Sequence, residues 1–252
     1  MTLEKLLHEI DLLQARIQRA RPLQPGEVAQ LRNYFRVGLT YSSNALEGNS
    51  LTEMETKIVI EDGLTVGGKP LRDHFEAVGH AAAYDRMREL AQGADISEAD
   101  VLELHRLFYR HLDESQAGVY RQQQVWISGS EFKPPTPRQV PKLMQRLFER
   151  APKQRVRRHP VAYAAWLHLE LVTIHPFIDG NGRTARLAMN MALVQDDYPL
   201  ALIPPPRRGE YLLALEREHK KRVSPDKQNS FEYFIADCLL NSMHDYRRLL
   251  GI

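Results

Sequence analysis

Apolar residues recur at helical spacing along most of the chain. Within residues 3–17 they return every third or fourth position with charged residues between them, which predicts one apolar helix face. Ser97 is suited to cap the helix that starts "EADVLEL", and Thr52 with Glu55 forms a capping box that opens a short helix to about residue 60. The same spacing predicts further helices near residues 27–46, 71–91, 138–150, 160–174, 182–196, 207–221 and 230–248.

Only one stretch favours strands. Residues 118–137, "GVYRQQQVWISGSEFKPPTP", combine β-branched and aromatic residues with a central "SGS" turn, and they predict a short β-hairpin. The expected fold class is therefore all-α with one β-hairpin. We predict an N-terminal helical arm over residues 1–65, in which "RPLQPGE" (21–27) breaks the helical pattern, and a helical core over residues 66–252.

Composition excludes several classes of protein. The 252 residues carry a formal net charge of +2, which gives no electrostatic case for binding nucleic acid or a membrane surface. No apolar run approaches the length of a membrane span, and the start "MTLEKLLHEIDLL" is unlike a signal peptide. Cys238 is the single cysteine, which excludes an internal disulfide, so a cytoplasmic location is expected.

The stretch "HPFIDGNGRTAR", residues 175–186, joins two predicted buried helices with chemistry that a plain turn does not need. Gly180, Asn181 and Gly182 can turn successive backbone N–H groups toward one anion. The helix that begins near Gly182 adds its free N–H groups and its positive dipole end at the same place. This arrangement predicts an anion-binding loop.

The charged residues of the same stretch extend that prediction. Arg183 and Arg186 are three positions apart, so both can lean toward one phosphate chain. Asp179 is a hard oxygen ligand suited to Mg²⁺ that also binds phosphate oxygens. His175 can accept a proton at cellular pH. The set predicts a nucleotide triphosphate held with Mg²⁺ and a base beside it. A purely structural turn would not need the acid and both arginines.

The stretch resembles the signature of Fic-domain proteins, the Fic/DOC family, which is His-x-Phe-x-(Asp/Glu)-Gly-Asn-Gly-Arg-x-x-Arg. The resemblance implies that the histidine deprotonates a Tyr, Thr or Ser hydroxyl of a target protein, which attacks the α-phosphorus of ATP and takes AMP. Asp179 would then hold Mg²⁺, and Phe177 would anchor the loop in the core. The fixed positions are filled by His175, Phe177, Asp179, Gly180, Asn181, Gly182, Arg183 and Arg186.

A second segment resembles the inhibitory signature of the same family, (Ser/Thr)-x-x-x-Glu-(Gly/Asn). It lies in "SSNALEGN" (42–49) and is carried by Ser43, Glu47 and Gly48. The resemblance implies that Glu47 restrains the enzyme from within its own chain. Ser43 and Glu47 are one helical turn apart, so Ser43 can steady the segment that presents Glu47.

The hairpin stretch resembles the family's flap, which docks the target segment by strand addition. Tyr211 lies where similar proteins place an aromatic residue near the adenine, although a helical tyrosine is also common in a core. The near strand of the flap would be Val125, Trp126, Ile127 and Ser128.

Three alternatives compete with AMP transfer. Doc toxins, a kinase branch of the family, carry Lys where this chain has Gly182, so Gly182 argues against phosphoryl transfer. Some chains with the inhibitory glutamate also remove AMP, and a non-catalytic nucleotide-binding regulator is the third alternative. Zinc is rejected because His168 and His175 lack helical zinc spacing. The pattern leaves self-modification and a homodimer open. The amphipathic residues 1–20 could pack on another chain or fold back on the core.

Overall fold

In the computed structural model, the chain is described for residues 1–20, 22–127, 129–221 and 230–251, and this part folds into ten α-helices without a β-strand. Short π-helical and 3₁₀ turns follow α3 and precede α6 and α9. The helices are α1 Leu3–Arg19, α2 Pro25–Ala45, α3 Glu53–Lys57, α4 Leu71–Leu90, α5 Glu98–Tyr109, α6 Val140–Arg157, α7 Pro160–Ile174, α8 Asn181–Gln195, α9 Arg208–Lys221 and α10 Ser230–Leu250. The all-α prediction is confirmed, and so are the capping boxes at Thr52 and Ser97.

The centre of the fold is the antiparallel pair α7 and α8. Helix α7 is buried almost all round, as its continuous apolar sequence predicts, and α4, α5, α6 and α10 pack around the pair. Fully buried alanines allow close contacts within this centre. The loop between α7 and α8 is residues 175–180, so the predicted motif lies at one end of the core.

The N-terminal helix folds back on its own chain. Helix α1 packs on α10 and buries Leu6, Ile10 and Ile17 completely. Its Asp11 carboxylate accepts a hydrogen bond from the Tyr198 hydroxyl, 2.7 Å away. This contact decides between the two arrangements that the amphipathic pattern left open.

Helix α6 is longer than predicted. It continues through Pro152 to Arg157, although the sequence indicated an end near residue 150. Proline removes one backbone hydrogen bond, but contacts beyond it hold the last turn. Arg155 lies 2.7 Å from Asp196, and Arg158 lies 3.1 Å from Glu232.

The predicted β-hairpin over residues 118–137 is wrong, because the described residues of this segment form no strand. Side chains rather than a facing strand satisfy its carbonyl groups: Arg121 donates to the oxygens of Gln123 and Pro135. Pro134 and Pro135 also have no N–H to give to a ladder. Residues 121–127 and 129–136 instead form an irregular loop, called the flap loop below.

None of the helices in the described part of the chain is long and apolar enough to cross a bilayer.

The close approach of α4 to α5 depends on Gly79. A Cβ at this position would lie 2.3 Å from the carbonyl oxygen of Phe108, a backbone atom that cannot move aside cheaply. Gly79→Ala should therefore lower the free energy of unfolding by about 1–3 kcal/mol, despite the better helix propensity of alanine. The matched control is Gly209→Ala in α9, which has nothing within 4 Å. Urea melts that leave both variants at or above the parent stability would contradict this packing.

Candidate active site

The loop between α7 and α8 is held in an uncommon backbone conformation. His175 directly follows the last residue of α7, and its backbone has a φ of 53°, in the left-handed region that few residues other than glycine adopt. Gly180 begins α8 at φ 78, and a Cβ there would lie 2.8 Å from the Phe108 ring. The Asn181 amide closes the loop, since it both donates to and accepts from the backbone of Phe177 at 2.9 Å. The loop geometry is thus fixed before any ligand binds.

Phe177 anchors the loop, and His105 supports it. Phe177 is 1% exposed, and its ring stacks on the His105 imidazole at 3.6 Å. His105 Nε2 donates to the Asp179 carbonyl at 3.1 Å, while its Nδ1 accepts from the Gly118 N–H at 2.9 Å. Desolvation lowers the pKa of His105 to about 4, so the ring stays neutral in this role. Sequence reasoning missed this histidine because its partner lies 74 residues away.

The His175 imidazole has one defined tautomer. Its Nδ1 lies 3.2 Å from the Val172 carbonyl oxygen, which can only accept, so Nδ1 carries the proton and Nε2 has a free lone pair. Desolvation, together with the Arg121 charge, lowers the pKa of His175 against the opposing effect of that hydrogen bond. The neutral form, which can accept a proton, therefore predominates at cellular pH.

Arg121 connects His175 to the flap loop. Its guanidinium is 1% exposed and donates to the His175 carbonyl at 2.7 Å and to the Pro135 carbonyl. Nothing in the sequence pattern singled out this arginine. It fixes the flap loop over the end of α7, next to the imidazole.

The flap loop forms one side of a cavity of about 340 Å³ that also contains His175, Gly182, Tyr211 and Glu47. Ile127 lines this cavity, and Val125 is partly buried. The Trp126 side chain is 70% exposed, with Lys133 over its ring at 5.9 Å. Ser128, also predicted for the flap, lies outside the described residues.

Arg186 is the most extensively bonded group of the site, and it is 1% exposed. Its Nε donates to Ser43 Oγ at 2.9 Å, and one terminal nitrogen donates to the Ser43 carbonyl at 2.9 Å. The same nitrogen lies 2.7 Å from Glu47 Oε1, and the other donates to the Tyr211 hydroxyl at 3.3 Å. Ser43 thus steadies the segment through Arg186. Tyr211, also bonded to His168 Nε2 at 3.1 Å, is buried beside the cavity.

Glu47 reaches this cavity from the residues that follow α2. Desolvation opposes ionisation of its carboxyl, but the charges of Arg186 and Arg183 outweigh desolvation and lower its pKa. Arg208 holds the preceding residue by donating to the Leu46 carbonyl at 2.7 Å. A Cβ at Gly182 would lie 2.4 Å from Glu47 Oε1, so only glycine leaves room for the carboxylate over the first turn of α8.

Arg183 and Arg186 do not converge by direct contact on one group in this structure. Arg183 lies 2.9 Å from Glu76, 3.3 Å from Asp179 and over the Phe108 ring. Arg186 pairs directly with Glu47, and the charges of both arginines lower the pKa of that carboxyl. That both arginines bind one phosphate chain stays a prediction.

Asp179 is paired on both oxygens. Oδ1 accepts from the Gly180 N–H at 2.6 Å and lies near Arg183, whereas Oδ2 is 2.8 Å from Arg72. Desolvation opposes ionisation, but Arg183, the Gly180 N–H and Arg72 together lower the pKa of Asp179. No sequence pattern indicated Arg72, which is 107 residues distant from Asp179 and 58% exposed.

The segment after Glu47 is fixed by the first turns of α4. Gly48 is left-handed at φ 95, which turns the chain out of α2. Asn49 donates to the Glu76 carboxylate at 3.0 Å, and Ser50 donates from both its N–H and its hydroxyl to Asp73. Because Glu76 also pairs with Arg72 at 3.1 Å, one network joins this segment to Asp179.

A family match, relatives in sequence and solved structures all relate this chain to the same family. Residues 95–193 match the Fic/DOC family. The chain is 39% identical over 209 residues to the protein adenylyltransferase Fic of Drosophila yakuba and to that of Drosophila melanogaster. These alignments cover 82% of this chain but only 41% of the relatives, so the chain spans about two fifths of their length.

Solved structures are similar over nearly the whole fold. Fic-1 from C. elegans, residues 134–508, superposes with a TM-score of 0.87 and 27% identity, over 99% of this chain and 73% of that one. A Fic domain containing signaling protein from Bacteroides thetaiotaomicron gives 0.83 and 28%, over 96% and 98% of the two chains. Together with the complete motif on the loop between α7 and α8, these matches show that the chain belongs to the Fic/DOC family.

Proposed function

We propose that the chain is a protein adenylyltransferase that transfers AMP from ATP to a Tyr, Thr or Ser hydroxyl of a target protein. The observation that supports this most directly is the free Nε2 lone pair of His175, in a cavity shared with the N-terminal turn of α8. A base beside an anion site is what attack of a hydroxyl on a phosphate requires. The names of the Drosophila relatives support the same reaction.

In this reaction His175 Nε2 takes the proton of the acceptor hydroxyl. The hydroxyl oxygen forms a bond to the α-phosphorus, and the bond from that phosphorus to the bridging oxygen breaks, so that pyrophosphate leaves. The N–H groups of Asn181 and Gly182 at the start of α8 would bind phosphate oxygens, helped by the positive end of the helix. The Gly180 N–H would join them on giving up its bond to Asp179 Oδ1. Arg183 and Arg186 would bind the outer phosphates, and Tyr211 would lie near the adenine.

Asp179 suits Mg²⁺. It presents one carboxylate, 41% exposed, beside the proposed phosphate site, and Mg²⁺ is commonly bound by one or two carboxylates plus phosphate oxygens. The exposed Arg72 side chain that now neutralises Oδ2 can be replaced there by a metal cation. When bound, Mg²⁺ neutralises charge on the departing pyrophosphate.

Glu47 is proposed as an internal inhibitor. Its carboxylate occupies the terminal nitrogen of Arg186 that would otherwise be available to a phosphate. A γ-phosphate entering the site would lose that partner and meet a negative charge instead. ATP could still bind, but its α-phosphorus would be out of line with the hydroxyl.

Phosphoryl transfer and removal of AMP are the alternatives to AMP transfer. Phosphoryl transfer is disfavoured because the kinase branch of the family has Lys where this chain has Gly182. A side chain at this position would also displace Glu47, since a Cβ would lie 2.4 Å from Glu47 Oε1. Removal of AMP is favoured as a second activity by one observation, which is that Glu47 and His175 line one cavity. A carboxylate there can orient a water molecule. Loss of label from AMP-modified protein in the parent but not in Glu47→Gly would support that activity.

The proposal extends to target docking and to the organisation of the chain. The flap loop would dock the target's acceptor segment, with exposed Trp126 as a contact. We also propose the division into an arm of residues 1–65 and a catalytic core of residues 66–252. A cytoplasmic setting, self-modification and a homodimer belong to the same proposal.

The label position tests the reaction. ATP labelled at the α-phosphate should transfer label to protein, and ATP labelled at the γ-phosphate should not.

His175→Ala should lower this transfer by about 10²–10⁴-fold, since the base is lost, while nucleotide affinity changes little. Because burial lowers the pKa of His175 below the ordinary value of 6.5, the parent rate should stay level as the pH falls through 6.5 and should decline only at lower pH. Label from the γ-phosphate, or full activity in the variant, would contradict the assignment.

Removing the inhibitor tests its role. Glu47→Gly should raise AMP transfer by more than tenfold, because a hydrogen bond to a charged group contributes about 1.5–3 kcal/mol and realignment of the phosphorus adds to it. Glu114→Gly, the same change at an exposed loop position, is the control and should have no effect. Glu47→Gly/Arg186→Ala should stay inactive, since the phosphate contact is gone. Activation that survives loss of Arg186 would disprove the pairing.

A further inference from the structure

Helix α6 and the turn before it present a row of basic side chains to solvent. Five of them fall within about 80° of one another around the helix, at steps of three or four residues, and the row within α6 extends for about 22 Å. All six are exposed, and together they are called the basic ridge. Its members are Arg138, Lys142, Arg146, Arg150, Lys153 and Arg157.

The basic ridge is not neutralised by its surroundings. Arg155 in the last turn of α6 and Arg158 directly after it are partly buried, and they pair with Asp196 and Glu232. Within the described part of the chain, no ridge residue has such an ion pair, and only Arg150 has an aromatic contact, 5.8 Å from Trp166. Like charges at this spacing destabilise a helix. Because this row of like charges does not stabilise the helix, its presence indicates that the protein binds an anionic partner there.

The ridge begins at the proposed acceptor site. Arg121 donates to the carbonyl oxygens of both His175 and Pro135, which places Pro135 beside the end of α7. Arg138 lies only three residues after Pro135. Helices α6 and α7 are joined by only two residues and pack side by side, so they run antiparallel. The start of α6 therefore lies at the His175 end of α7, and the ridge leads away from the cavity.

We propose that the basic ridge binds an acidic segment of the protein that receives AMP. This inference rests on the proposed function, since it places the acceptor hydroxyl at the flap loop and the acidic residues along α6. An extended chain advances about 3.3–3.6 Å per residue, so a row of about 22 Å accommodates six or seven residues. The ridge would select targets by charge.

A protein segment fits the ridge better than nucleic acid or a membrane. The net charge of only +2 means that the basic row is local and gives a weak overall field for a long polyanion. A membrane-binding helix would need a free apolar face, but that of α6 is buried through Val140, Met144, Leu147 and Ala151. Val156 is the single large apolar side chain of α6 that is strongly exposed.

Binding is measured first, without ATP, so that the result does not depend on catalysis. The probe is a fluorescein-labelled peptide with one tyrosine followed by seven glutamates, and its counterpart has seven glutamines. The glutamate peptide should raise fluorescence anisotropy at low salt and lose affinity as salt is added, whereas the glutamine peptide should not bind. Arg146→Gln/Lys153→Gln should weaken binding about tenfold, from two exposed ion pairs. Lys5→Gln/Arg16→Gln removes the same two charge types from exposed α1 positions and should have no effect.

Transfer of AMP is measured next, in the Glu47→Gly background. The ridge variant should raise KM for the glutamate peptide and leave kcat and the KM for ATP unchanged. Peptide binding without any AMP transfer would overturn the proposed reaction and keep the ridge. Equal binding by the ridge variant and the control would overturn the ridge and keep the reaction. A single-stranded oligonucleotide that binds more tightly than the peptide and is lost in the ridge variant would overturn the partner class.

Discussion

The site depends on one buried cation. The Arg186 guanidinium is almost wholly removed from water, and a buried charge is tolerated only when it is paired and its N–H groups are bonded. Its partners come from two distant parts of the chain: Ser43 and Glu47 at the end of α2, and Tyr211 in α9. The same guanidinium therefore fixes the segment that carries Glu47 and the tyrosine beside the cavity, so that the proposed restraint would be part of the folded site.

The arrangement also indicates how restraint could be lifted without unfolding. If the Glu47 side chain turns away, Arg186 keeps both bonds to Ser43 and its bond to Tyr211, so its position is preserved. The backbone beside Glu47 is held separately, by Arg208 at Leu46 and by α4 at Asn49 and Ser50. A side-chain rotation, rather than loss of a helix, would free a phosphate partner. Gly182 leaves the space in which Glu47 lies.

The sequence predicts the local features of this molecule well. Helix positions and the residues of the loop between α7 and α8 follow from apolar spacing and turn chemistry, which are encoded over a few neighbouring residues. His105, Arg121 and Arg72 escaped prediction because they contact that loop across 74, 54 and 107 residues. The hairpin prediction failed because β-propensity depends on context, and the buried Arg121 and two prolines replace strand pairing. Local spacing also could not show that Arg186 pairs with Glu47 while Arg183 pairs with Glu76 and Asp179.

The central claim is that Glu47 takes the place of a phosphate at Arg186, and nucleotide affinities test it most directly. Isothermal titration with ATP and with ADP, in the presence of Mg²⁺, compares ligands that differ only by the γ-phosphate. In the parent protein ATP should bind no more tightly than ADP, because Arg186 is already paired. In the Glu47→Gly variant, the affinity for ATP should exceed the affinity for ADP by about tenfold or more, because the hydrogen bond from Arg186 to the γ-phosphate is regained. An ATP-to-ADP affinity ratio that is the same in both proteins would contradict the account.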